Sequence, residues 1–318
     1  GSNRLARAAV ALRCATVRAA AERHPGVGVT RSAVDVAVVV VTYSAHLELD
    51  RCLESIERHG GVDHVVIVDN GGIADTTETD RRSVVRPGRN GGFGAGANAG
   101  IAAARRLGAR VVVLLNDDVV VEHGWLEPLV DELSAGERIG AVQPMLVFAD
   151  TAPTTVNSLG VEIGSDGAGV DVGLGAAVDD VDPAARDIEV FTGGAVAFRR
   201  EFLDETRGFD ERYFLYYEDV DLARRGARLG WRYRCVPSSR VEHRMGASTE
   251  ALGERTAYLR ERNRLWSAFR NESGPTVLGA VWLSIRRLRH RPHLVHAKAL
   301  VVGVAGGLQR LVWRVFTR

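Results

Sequence analysis

Apolar residues run unbroken over 36–41 and 111–115, and again over 65–68. Runs of this length and β-branched content predict strands covered on both faces, at 36–42, 64–68 and 110–115, with a short one at Val84-Val85. Between the first two, residues 47–58 place Leu49, Leu53 and Ile56 on one face of a helix that packs on the sheet. A glycine-rich stretch then opens a second helix over 96–107. Strand, helix, strand, loop, strand, helix, strand is the order of a parallel sheet with crossover helices. After Val121 the texture changes: 125–134 predicts a helix, 191–198 a strand whose glycines permit close backbone approach, and 258–269 another helix. Ordered structure is also expected over 209–228, and a polar strand closes on Val241-Glu242-His243. From 149 to 187 the chain is rich in Gly, Asp, Ala and Val without a firm period, and predicts only short strands and loops. At the other end, 4–23 has helical composition and stops at the linker His24-Pro25-Gly26.

The strand at 110–115 empties directly into Asn116-Asp117-Asp118. Open α/β sheets hold ligands at the carboxyl ends of their strands. Adjacent carboxylates there repel unless a cation joins them, and oxygen ligands suit Mg2+ or Mn2+ carrying a phosphorylated ligand. An acidic turn capping the next helix accounts for the same three residues, so both readings stand at this point.

With 318 residues, 46% of them hydrophobic, the chain can bury one large domain or two fused halves. Its net charge of +1 conceals a segregation. Residues 1–33 carry six Arg against Glu22, and 273–318 carry seven Arg and Lys298 with no acid, which leaves 34–272 at −12. Basic ends around an acidic centre imply arms folded back on the body, or a surface that meets anionic lipid. Leu308, Leu311, Val312, Val315 and Phe316, with Arg310, Arg314 and Arg318 between them, have the pattern of an amphipathic helix. No segment reaches the roughly 18–20 apolar residues of a membrane-spanning helix. Cys14, Cys52 and Cys235 are isolated, which fits neither a zinc site nor a disulfide framework and points to a reducing, cytoplasmic setting. Gly1-Ser2, without an initiator Met, reads as a tag remnant.

Three further clusters carry chemistry. The loop 90–100 holds five glycines at the start of a helix, where backbone amides can approach a phosphate or nucleotide. Gly94, Gly96 and Gly100, with Asp117 downstream, also fit a dinucleotide fingerprint, although such glycines normally follow the first strand and here that strand ends in Thr42-Tyr43-Ser44. Glu218, Asp219 and Asp221 put three acids in four residues behind Tyr216-Tyr217, and one of them is a candidate general base whose pKa partial burial would raise. His243 offers an imidazole that can complete a metal shell begun by Asp118, or is an ordinary surface histidine.

In order along the chain these motifs resemble the inverting family 2 glycosyltransferases of the GT-A fold, particularly the bacterial rhamnosyltransferase-like branch. The series runs Val41-Thr42-Tyr43, Val68-Asp69-Asn70-Gly71, the loop 90–100, Asn116-Asp117-Asp118, Gly194-Ala195 before Arg199-Arg200, Gly208-Phe209-Asp210-Glu211, Glu218-Asp219-Val220-Asp221-Leu222, and His243 followed by Gly246 and Ser248. The resemblance implies an α/β GT-A fold: a Rossmann-like nucleotide-binding half with a mostly parallel sheet, an acceptor-binding half, and a helical basic C-terminal tail. The boundaries expected are 1–33 for a basic helical extension, 34–250 for the catalytic domain (34–121 nucleotide-sugar half, 122–250 acceptor half) and 251–318 for the tail. It further implies that Thr42, Tyr43, Asp69, Asn70, Gly92, Asn98, Asn116 and Asp117 meet a nucleotide-sugar donor. Asp118 and His243 would hold Mg2+ or Mn2+. Asp219 would be the general base, positioned with the acceptor by Glu218 and Asp221, and Gly193-Gly194-Ala195 would face a glycan or lipid-linked acceptor. No nucleic-acid partner is implied, and peripheral membrane contact would come through the basic tail. Asp117, where the branch often has Pro, and Ser44 and Gly72, in place of the more usual Asn and Ser, depart from the pattern. Two rival readings are an NAD(P)-dependent oxidoreductase and a non-catalytic glycan-binding protein of the same fold.

Overall fold

A computed structural model describes residues 35–43, 46–72, 76–149, 151–244, 253–290 and 293–316. The predicted N-terminal helix, Ser44, Gly246 and Ser248 lie outside them.

The long apolar runs form the centre of the sheet. Strand β1 (Val36–Thr42) is buried along its whole length and pairs in parallel with β2 (His64–Asp69) on one side and β4 (Val111–Asn116) on the other. The short β3 (Arg82–Val85) extends the parallel set beyond β2. Alternation along β1 feeds two cores: Val36, Val38 and Val40 face one, Ala37, Val39 and Val41 the other. Helix α1 (His46–His59) seals the first with Leu49, Cys52, Leu53 and Ile56. Helix α2 (Phe93–Leu107) seals the second with Ala97, Ile101 and Ala104. A Cβ at Gly100 would run into Val39 and one at Gly96 would lie 2.8 Å from Val41, so these two glycines let α2 lie against the sheet.

Beyond β4 the pairing changes sense. Strand β11 (Ala195–Arg199) runs antiparallel to β4 and to β6 (Ile139–Phe148), and β12 (Arg232–His243) runs parallel to β6. The sheet order is β10-β12-β6-β11-β4-β1-β2-β3, with β10 (Arg186–Ile188) at one edge. Short strands β5 (Val119–Val121) and β7 (Val156–Ser158) pair with β12 and β6, while β8 (Val161–Ile163) and β9 (Gly169–Asp171) form a separate hairpin. Strands β1 to β4 are therefore parallel, and the long strands β6 and β12 run the same way, with β11 inserted antiparallel between β4 and β6.

Several elements differ from the sequence pattern. Ten-residue β6 was not foreseen, because Gly140 and Pro144 interrupt its apolar run. The strand expected over 191–198 is ordered only from Ala195. Helix α3 (Glu127–Ser134) begins two residues later than predicted, leaving Trp125 buried in the loop before it. After α4 (Arg200–Thr206), the stretch 209–228 resolves into a single 3-10 turn (Glu211–Tyr213) and helix α5 (Glu218–Arg228).

Three helices close the chain: α6 (Glu254–Asn271), α7 (Gly274–His290) and α8 (Leu294–Phe316). Glycines 303, 306 and 307 bring α8 directly onto Leu265, Trp266 and Phe269 of α6. Arg310, expected on a solvated face, is 8% exposed and stacks 3.6 Å over the Trp266 ring. The tail is thus folded back, and the large apolar side chains left in solvent lie on α7 at Leu278, Trp282 and Ile285 and on α8 at Leu294, Val301, Leu308 and Leu311. Among the described residues no helix is long and apolar enough to cross a membrane.

Candidate active site

The register of the parallel strands sets the site. Thr42 pairs with Asp69, and Val41 with Asn116, so β1, β2 and β4 present their last residues at one sheet edge. A cleft opens there, lined by Thr42, Tyr43, Asn70, Asn90, Gly92, Phe93, Asn116, Asp117, Asp118, Phe214 and Leu215. Seven of the residues singled out by sequence converge on it, and Asn90, Phe93, Phe214 and Leu215 join them. Tyr43 is 42% exposed, an open aromatic face at the rim. Asn70 donates to the Gly92 carbonyl at 3.0 Å, while its own Oδ1 and Asp117 Oδ2 are buried acceptors with no hydrogen-bond partner. Burial pushes Asp117 up to about 6, opposed by the Thr42 hydroxyl and reinforced by Asp118.

Two of the predicted donor residues act one layer back. Asp69 Oδ1 accepts from the Gly72 amide at 2.7 Å, and Arg86 lies 3.5 Å from its other oxygen. The Asn98 amide spans the loop at Phe209, giving a hydrogen bond to its carbonyl and taking one from its N–H, both 2.9 Å, and also donates to Glu211. Asp69 and Asn98 shape the loops around the cleft rather than its wall.

Asp118 and His243, 125 positions apart, meet because β5 pairs antiparallel with β12, opposing His243 to Val119, and because the Arg244 amide donates to the Asp118 carbonyl at 3.0 Å. His243 Nε2 lies 3.3 Å from Asp118 Oδ1, and its Nδ1 lies 2.9 Å from Asn157 Oδ1 on β7. With the Nδ1 proton given to Asn157, Nε2 turns a lone pair toward a carboxylate oxygen, an arrangement that asks for a cation or a proton between them. That donor set, one imidazole nitrogen and one carboxylate with an orienting amide behind, suits a divalent ion. The described residues contain no group of three or more His, Cys, Asp or Glu arranged as a metal shell, so the pair would need ligand or solvent oxygens to complete one.

The acidic cluster divides. Asp219 sits in the first turn of α5, its Oδ1 accepting from the Val220 amide at 2.8 Å and its Oδ2 from the Gly193 amide at 3.0 Å. Glu218 is buried, and burial together with the adjacent Asp219 carboxylate pushes it up to about 8. Burial raises Asp219 as well, against the pull of its amide donors. Near neutral pH Glu218 therefore keeps its proton. Asp221 does not join them. It is fully buried in an ionic network with Arg225 (2.8 Å), Arg270 (3.0 Å) and Asn271 (3.2 Å), which ties α5 to α6.

The dipeptide Gly193-Gly194 links the two centres. A Cβ built on Gly193 would sit 3.7 Å from Asp219 Oδ2 and 3.2 Å from the Phe93 ring. One on Gly194 would sit 3.7 Å from His243 Cε1 and 3.9 Å from Asn116. Ala195, expected beside them, instead points into the first core opposite Leu115. Sequence reasoning passed over Asn157 and Asp171, the latter close enough to feel both His243 and Asp219. Both lie in the stretch without periodicity, and no local signal marks them.

The segment leading into α5 is strained. Phe214, Tyr216 and Tyr217 all have positive φ, at 68°, 71° and 68°, and none is glycine. Such residues cost on the order of 1–3 kcal/mol each and persist where surrounding structure over-determines them, commonly at functional sites.

The family described as glycosyltransferase like family 2 matches residues 33–267. Among curated relatives, an N-acetylglucosaminyl-diphospho-decaprenol L-rhamnosyltransferase of Mycobacterium tuberculosis is 30% identical over 242 residues, covering 67% of this chain and 76% of its own length. An O-antigen biosynthesis protein of Myxococcus xanthus is 31% identical over 156 residues, 47% of this chain but 12% of that protein. Among solved structures, GalNAc-T7 with UDP, GalNAc and Mn2+ superposes with a TM-score of 0.56 at 17% identity, over 81% of this chain and 55% of that one. A mannosyltransferase of Pyrobaculum calidifontis with GDP-Man and Mn2+ gives 0.50 at 18%, over 89% and 84%. These two share the fold. The glycine-rich loop follows β3, not β1 as a dinucleotide fingerprint requires, and the oxidoreductase and binding-protein readings give way. This chain belongs to glycosyltransferase family 2 and carries its GT-A fold.

Proposed function

We propose that this glycosyltransferase moves a sugar from a nucleoside-diphosphate sugar, with dTDP-rhamnose or a UDP-sugar favoured, to a hydroxyl of a glycan or lipid-linked sugar, inverting the anomeric carbon. The observation that carries this reading is the dipeptide Gly193-Gly194. It adjoins a carboxylate fit to take a proton on one side and an Asp–His pair fit for the cation of a diphosphate on the other.

Tyr43 at the rim would stack on the base, and the partnerless acceptors of Asn70 and Asp117 would take hydrogen bonds from base or ribose, with Thr42, Gly92 and Asn116 completing the donor wall. Asp118 and His243 would hold Mg2+ or Mn2+, with Asn157 fixing the imidazole. Such an ion, when bound, neutralises charge on the departing nucleoside diphosphate. Asp219 would accept the proton of the acceptor hydroxyl as its oxygen bonds to the anomeric carbon and the bond to the diphosphate oxygen breaks on the opposite face. Glu218, protonated, would keep one negative charge rather than two beside the acceptor. Gly193-Gly194 would leave room for the acceptor, and Asp221 would act only by anchoring α5.

The rhamnosyl donor is supported by the mycobacterial relative, whose name gives L-rhamnosyl transfer, and the lipid-linked acceptor by its N-acetylglucosaminyl-diphospho-decaprenol. The same reading divides the chain at 33/34 and 250/251. It places the protein at the cytoplasmic face of a membrane, touching anionic lipid through α7 and the basic residues around it. The deciding experiment is a thermal-shift panel of UDP-, dTDP- and GDP-sugars with and without Mn2+, followed by a transfer assay with the stabilising donor. Stabilisation by one nucleotide class only with Mn2+, and turnover with that donor, is the expected result. Stabilisation indifferent to both overturns the reading.

A further inference from the structure

Helix α6 lies outside the nucleotide half, yet one of its side chains is built into the segment that carries Asp219. Asn263 is fully buried, and its Nδ2 lies 2.9 Å from the Tyr213 carbonyl, 2.8 Å from that of Leu215 and 2.8 Å from that of Tyr216. Three backbone acceptors from four consecutive residues crowd one amide nitrogen. That convergence requires the chain to curl, and it does so through the positive φ values at Phe214 and Tyr216. Phe214, at φ 68° and ψ −57°, is the centre of a γ-turn in which the Leu215 amide donates to the Tyr213 carbonyl at 2.9 Å. This is the strained, rare hand of that turn. Arg262, its neighbour on α6, adds a third donor to the Tyr213 carbonyl at 2.8 Å.

The curl has a use on each side. Reversal at Phe214 aims its carbonyl at the glycine-rich loop, where it accepts from the Phe93 amide at 2.7 Å, the first residue of α2. Gly92 leaves the space, since a Cβ there would strike the Phe214 carbonyl. On the other side Tyr217, also left-handed, starts α5, so that Asp219 reaches the Gly193 amide.

We propose that Asn263 is a positioning residue for transfer: by binding the carbonyls of Tyr213, Leu215 and Tyr216 it holds the left-handed segment that joins the donor loop to the general base. This rests on the reading of Asp219 as base. No other side chain of the same size offers two amide protons on one nitrogen, and an aspartate in its place would set a carboxylate among three carbonyl oxygens.

The test is a double-mutant cycle on the full-length enzyme. Asn263→Ala is expected to lower kcat about 10- to 100-fold while the affinity for nucleoside diphosphate with Mn2+ stays within about two-fold, and to move the acid limb of the kcat–pH profile upward as the Gly193 contact loosens. In a Tyr216→Gly background, where left-handed backbone no longer needs holding, the same substitution is expected to cost at least five-fold less in kcat. Equal costs in both backgrounds, an unmoved pH limb, or a loss of nucleotide affinity as large as the loss of kcat overturns the positioning role. Should Asn263→Ala fail to melt cooperatively, Asn263→Ser, which keeps one donor, carries the same cycle with an intermediate loss expected and the same outcomes against it. A wild-type enzyme without transferase turnover defeats the function itself, whereas a wild-type enzyme that turns over and an Asn263→Ala variant that matches it defeats only this inference.

Discussion

His243 Nε2 stands 3.3 Å from Asp118 Oδ1, although 125 positions of chain separate the two residues. Asn157 orients the imidazole from its other ring nitrogen, so that Nε2 faces the carboxylate. Their closeness makes sense once a positive charge lies between them. His243→Ala and Asp118→Asn are each expected to weaken Mn2+ binding at least ten-fold and to abolish the Mn2+-dependent part of nucleotide stabilisation. Asn157→Leu, which touches only the far side of the ring, should cost about 10–100-fold in metal affinity. Calorimetric titration of Mn2+ into each variant measures this. Unchanged isotherms for both His243→Ala and Asp118→Asn remove the pair from any cation site.

The acid pair predicts an asymmetry in turnover. Asp219→Asn removes the carboxylate that accepts from two amides, and kcat is expected to fall by about 10²–10⁴-fold, the range a general base supplies, with donor affinity nearly unchanged. Glu218→Gln imitates the protonated form already present at pH 7, so kcat there should stay within about ten-fold of wild type. Steady-state kinetics from pH 5 to 9 distinguishes the roles. Should Glu218→Gln be the more damaging, the assignments are reversed.

The same burial writes itself into stability. Glu218 holds its proton up to about 8 in the folded chain against an ordinary 4.5, so between those values the folded state binds more protons than the unfolded one. Stability therefore falls as pH rises through that window. Glu218→Gln takes this proton away from both states, and its Tm should decline less than that of wild type between pH 5 and 9, by several degrees at the alkaline end. Parallel Tm–pH curves for the two proteins would contradict a raised carboxyl.

Much of the donor side was legible because it rests on local pattern. Unbroken apolar runs predicted β1, β2 and β4, and the family resemblance supplied Thr42, Asp69 and Asn116 at their ends. The unread parts are those that tertiary partners decide. Gly140 and Pro144 disguise β6, yet Gly140 is where the Phe202 and Trp231 rings press on the strand, and Pro144 lies opposite Val236, where the β12 register begins to slip. Strand alternation turns Ala195 into the core. Left-handed Phe214, Tyr216 and Tyr217 carry no glycine to announce them, because the residue that holds them, Asn263, lies about fifty positions away.

Two glycines of identical φ separate backbone strain from function. Gly92 and Gly108 both have φ 89°, but a Cβ on Gly108 meets nothing within 4 Å, whereas one on Gly92 strikes the Phe214 carbonyl. Gly108→Ala should cost about 1 kcal/mol or more of stability through left-handed strain and leave kcat near wild type. Gly92→Ala, at ψ 179° rather than the 11° of Gly108, should lose more stability, and in addition show a fall in kcat of at least ten-fold, because it parts the donor loop from the segment ahead of Asp219. Melting and kinetics on the two variants decide it, and equal kcat values would mean that the Phe93–Phe214 hydrogen bond does not bear on transfer.

The proposed lipid contact can be separated from the docking of the C-terminal helices in the same way. Arg310 stacks on Trp266 and lies 5.8 Å over Tyr213, so its charge serves the interior of the helical segment. Leu278, Trp282 and Ile285 stand 73%, 60% and 39% exposed along one face of α7, with Arg286 5.5 Å over the Trp282 ring and Arg289 one turn on. Arg286 and Arg289 on the same helix give that stripe basic neighbours that complement an anionic bilayer. Flotation with vesicles of phosphatidylcholine and phosphatidylglycerol should show binding that weakens with salt and falls about five-fold for each of Arg286→Ser and Arg289→Ser at low ionic strength. Trp282→Ser should weaken it further, at any salt, by removing apolar insertion. Arg310→Ala should do the reverse, lowering Tm through loss of the stack on Trp266 while leaving vesicle binding as it was. Binding that survives the α7 substitutions but is lost with Arg310→Ala would transfer the lipid surface to α8.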